Sequence, residues 1–179
     1  MKYYKKIPGV LCYLSPICLD DYEIYTEWLN NLDTTRFLSL IATNFTNEGE
    51  KTALEKLSEG HTYAIVDQQD DILIGSCGLV SWDQLQATAE VGICIGNPEY
   101  RDRGIGTEAM QLLCSYAFDY LNIKSLLLRV FSFNERAIRS YEKVGFKRIG
   151  LWRNALERAG ERQDIVFMDC LPRDLKRLS

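Results

Sequence analysis

The segment Arg101-Asp102-Arg103-Gly104-Ile105-Gly106-Thr107 constrains this chain more than any other. Before it, Ala89 to Ile95 alternates, with Val91, Ile93 and Ile95 on one face and Glu90, Gly92 and Cys94 on the other, the period of a strand. After it, Met110, Leu113, Cys114, Ala117 and Leu121 recur at the spacing of one helical face and predict a helix over Thr107–Leu121. The first turn of a helix presents unpaired backbone N–H groups and a positive dipole end. Glycines let a ligand approach the backbone with no Cβ in the way. Arg101 and Arg103 add positive charge, and the combination suits a diphosphate. The turn lacks the Lys-Ser/Thr pair of a P-loop and the third glycine of a dinucleotide fingerprint. On spacing alone, an anion site and a plain charged turn both remain open.

Around this turn the chain reads as one α/β domain over residues 1–179, a length suited to a single core. A first strand is expected at Val10–Leu14. A helix capped by Asp20 or Asp21 should run to Leu29, with Ile24, Tyr25 and Trp28 inward. Asn47 followed by Glu50 looks like a capping pair for a helix ending near Gly60. Tyr63–Val66 and Ile72–Val80 form a hairpin across a polar turn at Asp67–Asp71. Ser125–Phe131 is a nearly continuous apolar run, as in a strand covered on both faces. Asn134–Val144 is helical with Gly145 at its end. Two last strands are expected at Lys147–Trp152 and Ile165–Leu171. Strands, helix, strand, helix and strands in that order make a mixed sheet.

With 46% hydrophobic and 26% charged residues, the composition is that of a folded globular chain. A net charge of -4 disfavours nucleic acid or an anionic membrane as partner. No apolar run reaches the roughly 18–20 residues of a membrane span, and no signal peptide is expected, since no long apolar stretch follows the charges of Met1–Lys6. The six cysteines form no C-x-x-C pair and there is one histidine, so no metal site is expected and free thiols suit the cytoplasm.

Longer stretches carry a resemblance. Arg101-x-x-Gly104-x-Gly106 resembles motif A of the GNAT acetyltransferases. Ala89 to Gly96 looks like the strand before that motif, and Phe131 to Phe146 resembles motif B nearly residue for residue. Asp164 to Met168 is similar to the terminal strand of the branch that contains spermidine and ribosomal-protein N-terminal acetyltransferases. The resemblance covers most of the chain and is specific over residues 89–146. It implies a GNAT-type domain with a mixed, mostly antiparallel sheet whose central parallel strands splay. It also implies acetyl-CoA as cosubstrate, with the pyrophosphate at Arg101, Arg103, Gly104, Ile105, Gly106 and Thr107. The pantetheine arm would then lie along the main chain of Ile93, Cys94 and Ile95 and against Asn134, itself a good helix N-cap. Asp102 departs from the usual small residue, and is expected to point outward or to pair with an arginine.

Acyl transfer to an amine needs a neutral nucleophile, yet a lysine-like amine is neutral only in roughly one molecule in a few thousand at pH 7. It also needs a donor for the oxyanion and a proton for the departing sulfur. The resemblance assigns the base to Glu90 and the acid to Tyr141. As residues alone, Glu90 could be a solvent-facing carboxylate, and Tyr141 could be core, since it shares a helical stripe with Ala137, Ile138 and Val144. Cys94 borders the expected acetyl site, but direct transfer leaves it no nucleophilic role. His61 reads as a loop residue, and Tyr22, Tyr25 and Trp28 as core. Leu29–Thr46 and Trp152–Arg162 should line the acceptor side. The acceptor is expected to be a small primary amine (polyamine, amino sugar or amino acid) or, alternatively, a protein N-terminus. A non-catalytic acyl-CoA-binding module is the third reading. A homodimer is the expected assembly.

Overall fold

The computed structural model describes residues 2–158 and 160–178. Its strands are β1 (Ile7–Pro8), β2 (Cys12–Pro16), β3 (Thr62–Asp67), β4 (Leu73–Asp83), β5 (Thr88–Ile95), β6 (Ser125–Phe131), β7 (Lys147–Arg158) and β8 (Glu161–Cys170). Its α-helices are α1 (Tyr22–Asn30), α2 (Leu32–Thr35), α3 (Asn47–Ser58), α4 (Ile105–Asp119) and α5 (Glu135–Val144). The strands form one sheet in the order β1-β2-β3-β4-β5-β6-β8-β7. Only β5 and β6 run parallel, and they pair only from Thr88↔Ser125 to Glu90↔Leu127. Beyond Glu90 the two strands diverge while β5 continues to Ile95 and β6 to Phe131. The expected mixed, mostly antiparallel sheet with splayed central parallel strands is therefore present. Among the described residues, no helix is long and apolar enough to cross a membrane.

Two apolar cores lie on the two faces of this sheet. One face carries α4 and α5, where Ala109, Met110, Leu113, Cys114 and Ala117 pack at zero exposure against Leu126, Leu128 and Met168. The other carries α1 and α3, where Tyr25 and Leu54 meet Tyr13, Ala64, Val66 and Leu73. Burial of each large apolar side chain contributes about 1.5–3 kcal/mol, so the α4 stripe fixes the helix under the splay.

Several expectations shift in detail. Helix α4 begins at Ile105, earlier than its apolar stripe, because Gly104 takes φ 82° and turns the chain into the helix. The cap of α3 is Thr46, whose hydroxyl accepts from Gly49 N at 3.1 Å, one residue before the Asn47 expected there. Asp21 sits at the N-cap position of α1, but its side chain makes no bond to the first turn. Its buried carboxylate accepts from Tyr3 Oη at 3.0 Å and pairs with Lys2 Nζ. The final strands are longer than expected and form one hairpin from Lys147 to Cys170. Strand β7 is the sheet edge and is exposed along much of its length, so no hydrophobic period marked residues 153–158 as strand. Gly145 ends α5 at φ 123°, where a Cβ would collide with the Asp174 carbonyl.

A buried carboxylate joins the N-terminal strands to α4. Glu108 Oε1 accepts from Val10 N, Leu11 N and Cys12 N at 2.7, 2.8 and 3.2 Å, with the residue 6% exposed. Replacing it by Ala would leave those N–H groups without this acceptor. Glu108→Ala is expected to cost about 3 kcal/mol, which thermal unfolding should register as a drop of roughly 6–12 °C. A drop under 2 °C would show that the carboxylate is not what holds the β1–β2 turn.

Candidate functional site

The divergence of β5 from β6 opens a cavity of about 670 Å³. Its walls come from the β5 end (Ile93, Cys94, Ile95), the Arg101–Thr107 turn, the start of α5 (Asn134, Ala137) and the Phe37–Ser39 segment after α2. The sheet topology explains the juxtaposition. Parallel strands need a crossover, and α4 returns the chain so that its N-terminus abuts the open end of β5.

The N-terminus of α4 is prepared for an anion. No side chain caps it, and the N–H groups of Ile105, Gly106 and Thr107 find no acceptor among the described residues. The two glycines differ in their reason for being there. Gly104 needs its positive φ. Gly106 is helical, and a Cβ there would meet Ile95 and Ile93 only at 3.7–3.9 Å, an ordinary contact. The protein's own packing thus does not require glycine at 106, whereas close approach of a ligand to its N–H would. Thr107 Oγ1 and Ser140 Oγ share a hydrogen bond of 2.7 Å that ties α4 to α5 beside the turn.

The structure distributes the expected charges unevenly. Arg101 lines the cavity, but the Nε and Nη2 groups of its guanidinium are engaged by protein oxygens. Nε and Nη2 donate to Ile95 O at 3.3 and 3.2 Å, and Nη2 also donates to Thr34 Oγ1 at 3.0 Å. It therefore braces the end of β5 against α2. Arg103 is exposed, with its Cζ 5.2 Å from the Tyr100 ring centroid. Asp102 adopts φ 62° and accepts from Arg136 Nη1 at 3.1 Å, the pairing with an arginine expected of it, while both residues line the cavity.

Tyr141 and Glu90 both line the cavity. The Tyr141 ring packs edge-on to Phe146 at 6.1 Å, and its hydroxyl makes no hydrogen bond among the described residues. Burial, with the nearby Cys94 thiol second, pushes the phenol up to about 12. Glu90 is not solitary: Arg129 Nε and Nη2 donate to its Oε1 and Oε2 at 2.7 and 3.1 Å. Asn134 caps α5 through Ala137 N at 3.2 Å while it lines the cavity. Burial raises the Cys94 thiol to about 11, partly offset by Arg101, so it stays protonated at neutral pH. His61 bonds Tyr63 Oη at 3.2 Å and abuts Trp82, away from the cavity lining. Trp28 packs against Gly96, where any Cβ would strike its ring.

Some residues in the lining or beside it carry little sequence signal. Phe37, Phe131 and Phe133 come together from α2's exit, β6 and the following turn, with neighbouring centroids 6.0 and 5.5 Å apart. Arg158 at the β7 end donates to Leu38 O at 3.0 Å and lies over Phe131, so the two segments expected at the acceptor side meet there. Arg129 is the one charged residue within Ser125–Phe131, a break in the apolar run that marks a side chain facing away from the core.

Comparison with known proteins agrees with this geometry. The model of the Acetyltransferase (GNAT) domain matches residues 12–147. The spermidine N(1)-acetyltransferase of Escherichia coli K12 is 34% identical over 141 residues, covering 74% of this chain and 71% of that protein. The uncharacterized N-acetyltransferase p20 of Bacillus licheniformis is 23% identical over 87% of this chain and 90% of its own length. A crystal structure of spermidine N-acetyltransferase from Vibrio cholerae in complex with CoA and spermine superposes with a TM-score of 0.84. It covers 93% of this chain and 98% of that one at 21% identity.

Proposed function

The chain belongs to the GNAT acetyltransferase family, and from that premise we propose that it moves the acetyl group of acetyl-CoA to the primary amine of a small molecule by direct attack. Acetyl-CoA is the acyl donor of this family, and the open N–H groups at the start of α4 fit its pyrophosphate. The free edge of β5 offers main-chain groups to the pantetheine amides, as an added strand would. Asn134 lies within reach of the same arm. Gly104, Ile105, Gly106 and Thr107 hold the phosphates. Arg103 contributes field, and Arg101 acts by fixing the Ile95 carbonyl.

In the transfer, the amine nitrogen attacks the thioester carbon, the C–N bond forms and the C–S bond breaks. Tyr141 protonates the departing sulfur, and Glu90 takes the amine proton directly or through water. The observation that carries this reading is the unpartnered Tyr141 hydroxyl in the same cavity as the uncapped α4 turn. A core tyrosine would ordinarily satisfy its hydroxyl. Release of CoA thiol from acetyl-CoA in the presence of a panel of amines and N-terminal peptides tests it. No thiol release with any amine would refute it.

Burial keeps the Tyr141 phenol protonated up to about pH 12. The rate is therefore expected to rise with pH as the acceptor amine loses its proton, and to show no alkaline fall below about pH 11. A stopped pH series of kcat is the measurement, and an alkaline limb near 9 or 10 would remove Tyr141 as the acid. Six free thiols support the cytoplasm as its compartment. The exposed edge of β7, with Ile149, Leu151 and Trp152 each more than half exposed, supports a homodimer.

A further inference from the structure

We infer that the acceptor is a zwitterionic α-amino acid with an apolar side chain, whose carboxylate is taken by Arg129 beside Glu90. The inference rests on the acetyl-transfer reading and narrows its substrate. Alternation along β5 and β6 sends Val91, Leu126, Leu128 and Val130 into the core under α4 and α5. Glu90, Cys94, Arg129 and Phe131 therefore face the opposite side of the splay. Among the residues lining the cavity, Glu90 and Arg129 are the charged side chains of that face. The other charged lining residues belong to the 101–102 turn and to α5.

That pair decides what charge the site accepts. Both Glu90 oxygens are already bonded to Arg129, so the two groups together are formally neutral. A polyamine brings a second ammonium that must shed water and needs a carboxylate of its own. Among the lining residues it would find no unpaired acid and would face a guanidinium. An α-amino acid presents the complementary pattern, an amine and a carboxylate separated by one carbon. Arg129 Nη1 makes no hydrogen bond to any described residue, and the side chain is 47% exposed, so part of its donor fork remains for a carboxylate. The amine then lies beside Glu90. The acceptor's side chain has an apolar wall in Phe37, Leu38, Phe131 and Ile165, closed by Arg158 across Leu38 and Phe131.

The experiment compares kcat/KM for L-phenylalanine and L-leucine with L-phenylalaninamide, 2-phenylethylamine and spermidine, reading thiol release and product mass. The amino acids are expected to exceed the amide and the amine by about tenfold to a hundredfold, with spermidine slowest. In Arg129→Gln the acid-to-amide ratio should fall toward one through the KM of the acid, and Arg129→Lys should restore part of it. The ratio is internal to each variant, so a general loss of rate does not obscure it. The wild-type panel stands even if a variant fails to fold. Equal rates for acid and amide, or preference for spermidine or a peptide N-terminus, would overturn the inference. Calorimetric titration of CoA separates the two levels. CoA binding without carboxylate preference defeats this inference alone, whereas no CoA binding defeats the transfer reading with it.

Discussion

Gly106→Glu is expected to raise the CoA dissociation constant by at least about a hundredfold while leaving the protein folded. Position 106 is helical and has room for a Cβ, with the nearest atoms at 3.7–3.9 Å. A residue other than glycine in a helix gains up to about 1 kcal/mol in propensity, which offsets small packing costs. The added carboxylate would stand in front of the Ile105–Thr107 N–H groups, where the diphosphate should lie. It would block the approach and repel the phosphates. Losing two charge-assisted hydrogen bonds, each about 1.5–3 kcal/mol, already amounts to a hundredfold or more. Calorimetry reports the affinity and thermal unfolding reports the fold. Normal CoA affinity in a folded Gly106→Glu protein would refute the loop as the phosphate site. Substitution at Gly104 is a weaker test, because its φ of 82° strains any side chain regardless of ligand.

Tyr141→Phe should lower kcat by about a hundredfold or more, within the usual range for loss of a general acid. The ring, and with it the packing on Phe146, is retained. The hydroxyl makes no hydrogen bond among the described residues, so its removal orphans none of them. Stability and CoA affinity are therefore expected to change little, and the loss should appear in kcat with the KM for acetyl-CoA nearly constant. A rescue experiment sharpens the outcome. An acetyl donor whose leaving group has a lower pKa needs less protonation, and should close most of the gap between Tyr141→Phe and the parent. Unchanged kcat in the variant would reduce Tyr141 to a core residue on the stripe of Ala137, Ile138 and Val144.

Much of the architecture was legible in the residues because local periodicity follows from local packing. The alternation at 89–95 and the stripe of α4 report which side of one element is buried, and Asn134 and Gly145 mark the two ends of α5. They located the central strands, the turn and both crossover helices. The β7–β8 hairpin was read short because an exposed edge strand has no buried face to impose a period. Thr46 caps α3 in place of Asn47 because neighbouring polar residues compete for a cap and only the backbone path selects one.

The strand-turn-helix around Gly104 and Gly106, the family and the acyl donor are legible in contiguous residues, because their chemistry is local. What those charges meet follows from the folded sheet alone. Arg101 is separated from Thr34 by 67 positions and Glu90 from Arg129 by 39, yet each pair is in contact. Such partners are chosen by how far β5 and β6 diverge and by which loop folds over the gap. That outcome depends on the whole sheet, and charge, which acts through space, carries no imprint of it along the chain.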